Sequence, residues 1–75
     1  MDYQEMKMIM RSKARLSQGL VNLLKDDTQQ ICVDVEDMDL FSLGEAIREA
    51  KRTSQSLLDT VNELERDMRL LKRDA

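Results

Sequence analysis

The apolar positions in the second half of the chain advance in alternating steps of four and three: Leu43, Ile47, Ala50, Ser54, Leu57, Val61, Leu64, Met68 and Leu71. At 3.6 residues per turn this spacing keeps a single stripe facing one way. Sustained over four heptads, it predicts a long helix with a coiled-coil seam. Ser42 with Glu45 three residues later fits a capping box, with Phe41 and Ala46 at the staple positions, so the helix is expected from about 42 to 73. Its last turns hold Arg66, Arg69, Lys72 and Arg73, cations where the helix dipole favours them.

The first half carries a broader stripe at helical spacing, through Tyr3, Met6, Ile9, Met10, Ala14, Leu16, Leu20, Leu23 and Leu24. A first helix is expected to start at Asp2, with Glu5 in the capping-box position, and to run to about residue 30. No Gly or Pro stops it, and Ile31 with Val35 could continue the same face. The end is therefore placed between Lys25 and Val33, with residues 31–41 as an acidic turn. The β-branched run from Ile31 to Val35 is too short to make a strand by pattern and reads as a frayed helix end or loop.

Two long helices with a short connection predict an all-α fold, an antiparallel helical hairpin forming one domain over residues 1–75. A turn centred near Val35 would place Leu24 opposite Ile47, Leu20 opposite Ala50, Met10 opposite Val61, and Ser17 opposite Ser54. The serine pair would be a narrow waist or a polar layer that fixes register. Gly19, nearby, costs about 1 kcal/mol relative to Ala inside a helix, which suggests a backbone passing close to it.

Composition agrees with an all-helical reading: no Pro, two Gly, a single Phe, a single Tyr and no Trp in 75 residues. A chain this short buries only ~60% of the surface its unfolded form exposes, so its core leaves little margin. With one cysteine, Cys32, and no histidine, neither an internal disulfide nor a Cys/His zinc site can supplement it. Oligomerisation or residence in a complex remains, and the chain is not expected to be a stable monomer. A four-helix or larger bundle would result, made with itself or with another helical protein.

Charge is segregated. Residues 26–45 hold seven acidic side chains and no basic one, whereas Lys7, Arg11, Arg66, Arg69, Lys72 and Arg73 would gather where the termini meet, in a chain of net charge −3. Asp34, Glu36 and Glu45 match positions 1, 3 and 12 of an EF-hand count, but Met38 and Asp39 stand where an oxygen ligand and the turn glycine belong, so the block reads as a solvated acidic loop. Without a histidine base or a phosphate-cradling glycine loop, nothing points to catalysis or to a cofactor. Cys32, in acidic surroundings, reads as a small apolar residue rather than a reactive thiol.

Lys7, Arg11 and Arg15 recur every four residues and define the alternative reading, a dimeric hairpin that binds nucleic acid through a basic helix face. The acidic balance and the shortage of stacking aromatics argue against it. The N-terminal methionines beside basic residues could suit a membrane surface, but that helix lacks Trp and Phe and its apolar face is needed by its neighbour. The sequence has no membrane-length apolar run and no signal-peptide layout, from which a cytoplasmic or other reducing compartment is expected. The reading that results is a non-enzymatic interaction module, an adaptor, subunit or chaperone-like partner of a helical protein. Its seam would be the stripe of helix two with Met6, Met10, Leu20 and Leu24, and Met8, Val21, Leu58 and Leu70 lie off that seam as a further partner surface.

Overall fold

A computed structural model describes residues 2–74, with the side chain of Asp74 outside the description. It contains α1, Tyr3–Glu36, and α2, Leu40–Asp74, folded back on each other as an antiparallel hairpin whose backbone measures 54 × 15 × 12 Å. Asp2 caps α1 as the sequence suggests, its side chain accepting the Gln4 amide at 3.3 Å.

The first helix is longer than expected. It continues past residue 30 to Glu36, so residues 31–36 are helix rather than turn, and the connection is reduced to Asp37, Met38 and Asp39. Two features hold these extra turns. Asp34, only 3% exposed, accepts the Gln30 side-chain amide at 3.0 Å and the Ser42 hydroxyl at 2.9 Å. The helix then closes in a Schellman motif, in which the Asp39 amide donates to the Asp34 carbonyl (3.0 Å) and the Met38 amide to the Val35 carbonyl (3.2 Å). Met38 sits at the left-handed position, φ 52°, where a glycine is usual.

The start of α2 is also revised. The capping box at Ser42 is replaced by Asp39, whose carboxylate accepts the Ser42 amide at 3.1 Å. Ser42 is thereby inside the helix, and its hydroxyl is free to bond Asp34. Phe41, expected as a staple, is 78% exposed. The EF-hand count now spans the end of one helix and the start of the next, which is no ligand loop.

Two cross-links fix the register: Lys13 Nζ donates to Asp67 at 2.7 Å, and the Thr53 hydroxyl donates to Asp27 at 3.0 Å. Both pairs centre the register on residue 40, five residues later than Val35. Ser54 is thus level with the region around Asp27, whereas Ser17 lies ten residues away on α1, about 15 Å along the axis. The serine waist does not form, and the Ser17 hydroxyl instead returns to the Lys13 carbonyl. Gly19 faces away from α2, since a Cβ built there would meet nothing within 4 Å.

Candidate interaction surface

The roll of α2 decides which of its residues are buried against α1 and which stay exposed. The side chains that α2 buries against α1 are Ala46, Thr53, Thr60 and Asp67, a row of sevens, with Ala50, Leu57, Leu64 and Leu71 half-buried beside them. The second four belong to the apolar stripe legible in the sequence. The first four do not. They replace Ile47, Ser54, Val61 and Met68, each one position along, which remain exposed.

Physical chemistry explains the roll. The partner row on α1 reads Met6, Met10, Lys13, Ser17, Leu20, Leu24, Asp27, Ile31 and Asp34, also in steps of four and three. Three of its members are charged and need partners once their surroundings dry out. Thr53 supplies one to Asp27, Asp67 one to Lys13, and Ser42 one to Asp34, while Thr60 satisfies itself on the Ser56 carbonyl. Turning Ile47, Ser54, Val61 and Met68 inward would strand these groups. Among the described residues no buried side-chain nitrogen or oxygen lacks a hydrogen bond.

The displaced row forms one wall of the outer face, the side of the hairpin that holds two largely apolar grooves. Near the turn it contains a groove lined by Ile31, Ile47, Ala50, Ser54 and Leu58, with Lys51 and Gln55 on its rim. Near the termini a second groove is lined by Tyr3, Met10, Ala14, Leu64 and Leu71, with Lys7 and Arg11 beside them. Between them stand Val21 and Val61, 50% and 46% exposed. Near the turn the opposite face differs, its groove there being polar and lined by Asp27, Gln30, Glu45, Arg48, Glu49 and Arg52.

Of the further residues expected on a partner surface, Val21 and Leu58 lie on the outer face. Met8 is exposed on the back of α1, and Leu70 lines a small groove with Arg66, Arg69 and Arg73 at the terminal end. Lys7, Arg11 and Arg15 are all exposed, but a four-residue step drifts about 40° round a helix, so Arg15 has left the groove that Lys7 and Arg11 line. Cys32 is an exposed free thiol on α1.

Sequence reasoning missed two exposed apolar groups. Ile9, Leu16 and Leu23, taken as interior, form an exposed row of sevens on the other flank of α1, and Met38, Leu40 and Phe41 stand out at the turn. The spacing of the first was readable. The second depended on a turn whose left-handed residue is Met, which gives no turn signal.

No helix of the described residues is long and apolar enough to cross a membrane. No family model matches the chain, and no curated protein or solved structure is significantly similar to it.

Proposed function

We propose that the protein is a non-enzymatic interaction module that binds a helical partner through its outer face, as a small subunit, adaptor or chaperone-like companion. The observation that carries this reading is the exposure of the apolar side chains Ile47, Leu58, Val61 and Met68 on the flank of α2 that α1 does not cover. Burying an aliphatic side chain is worth ~1.5–3 kcal/mol, and here the hairpin forgoes that gain in order to satisfy polar groups. Residues whose burial is forgone inside one chain are the ones a second chain can bury.

The small interior supports the same conclusion. Met6 and Ala46 are the buried apolar residues, and no described side chain is fully enclosed. The chain exposes 6003 Å², whereas a compact monomer of 8.8 kDa exposes about 4,800 Å². The excess of roughly 1,200 Å² exceeds the ~800 Å² that each partner contributes to a standard interface.

The test is affinity capture with the wild-type chain and with an Ile47→Glu/Val61→Glu variant, each checked for helicity by circular dichroism. The wild type is expected to retain a defined set of proteins that the folded variant loses. Capture of the same set by both would sink the proposal.

A further inference from the structure

The outer face is not only apolar. Its two grooves are rimmed by Lys7, Arg11 and Lys51 and by no carboxylate. The rows of Lys7, Arg11 and Lys51, followed at heptad steps, add Lys25 on α1 and Lys72 on α2, against the single anion Glu65. In a chain of net charge −3, a face with five cations and one anion is an exception that selects its occupant.

We infer that this face takes a separate amphipathic helix whose apolar stripe is flanked by Asp and Glu, laid lengthwise between α1 and α2 to complete a three-helix assembly. The inference rests on the interaction reading above and specifies the partner's chemistry. Three observations select this occupant. A second copy presenting the same face would set Lys and Arg against Lys and Arg, and like charges across an interface cost several kcal/mol. A bilayer would meet a grooved surface with Tyr3 as its one aromatic, lacking the Trp and Phe of interfacial helices. The grooves lie between two helices, and a third helix can seat its side chains there by the helix-in-groove mode.

The experiment uses the full chain and two synthetic amphipathic peptides of about four heptads with the same Leu/Ile stripe, one flanked by Glu and the other by Lys. Fluorescence anisotropy measures binding. The Glu-flanked peptide is expected to bind at least about tenfold more tightly, with the preference shrinking as salt rises. A Lys7→Glu/Arg11→Glu/Lys51→Glu variant should reverse the preference, and Arg52→Glu on the opposite face should leave it unchanged. Both variants are checked for helicity and must fold to count. Equal binding of the two peptides, a preference for the Lys-flanked one, or binding to phosphatidylserine vesicles in place of either would overturn the inference. Sedimentation separates its failure from that of the broader reading. A wild-type chain that self-associates through the face and excludes the Glu-flanked peptide assigns the face to a second copy, which ends this inference and keeps the interaction module. A monomer that binds neither peptide, and whose capture is unaffected by Ile47→Glu/Val61→Glu, ends both.

Discussion

The two flanks of α2 reverse the usual division between interior and surface. The inner flank, Ala46, Thr53, Thr60 and Asp67, is small or polar and is buried, whereas the outer flank, Ile47, Ser54, Val61 and Met68, is the more apolar and is exposed. The difference shows that polar partners rather than greasiness set the roll of this helix. Lys13, Asp27 and Asp34 on α1 are costly to bury alone, and the inner flank is where their partners lie. Folding uses one flank and leaves the other exposed.

The largest expected effect tests the inner flank. Lys13 lies 2.7 Å from Asp67 and 3.8 Å from Glu63, and Asp67 is buried. Lys13→Leu would leave that carboxylate without its cation, at a cost of about 2–3 kcal/mol once the partial exposure of Lys13 is allowed for. Lys13→Leu combined with Asp67→Leu should recover most or all of the loss, because an apolar pair can replace a buried ion pair. Urea unfolding of the two variants measures this, and a single substitution without effect would mean that Asp67 is not enclosed.

A smaller effect is expected at the turn that sets how the two flanks present themselves. Met38 holds a left-handed conformation that costs an L side chain about 1 kcal/mol, so Met38→Gly should raise stability by up to that amount. A lower melting temperature for Met38→Gly would show that the connection is built differently. The smallest effect sharpens the contrast between neighbours. Ser54→Leu, on the exposed flank, should change monomer stability by less than about 0.5 kcal/mol, whereas Thr53→Leu should cost about 1 kcal/mol by removing the donor to Asp27. Equal effects at the two positions would indicate a different roll.

Much of the fold was legible in the sequence: two long helices and a hairpin from periodicity, the Asp2 cap from residue type, and an acidic turn and a basic terminal end from the distribution of charge. The stripe on α2 was also visible, but reading it as a single seam assumed that apolar residues face inward. Ala50, Leu57, Leu64 and Leu71 satisfy that assumption, and Ile47, Ser54, Val61 and Met68 do not. The missing signal lay on the other helix. Lys13, Asp27 and Asp34 fall in the interior row of α1, and each asks for a partner that only the Thr53 and Asp67 flank, with Ser42, can provide. The turn was misplaced for a similar reason. Asp39 is as good a cap as Ser42, and the choice between them depends on Asp34, a contact across the turn that no local pattern reveals. The basic rim of the outer face became visible only when the roll assigned Lys7, Arg11 and Lys51 to the same side.

The roll of α2 is tested most directly by methyl NOESY spectra of the isotopically labelled chain. Midway between the Asp27–Thr53 and Lys13–Asp67 links, Thr60 stands level with Leu20 and is 6% exposed, while Val61 beside it is 46% exposed. The Thr60 methyl is expected to show cross-peaks to side chains of the interior row of α1, Leu20 first among them, and the Val61 and Met68 methyls to show few or none within the chain. Strong contacts from Val61 and Met68 to the interior row of α1, with Thr60 facing solvent, would contradict the division of α2 into a buried flank and an exposed flank, and with it the proposal that the exposed flank binds.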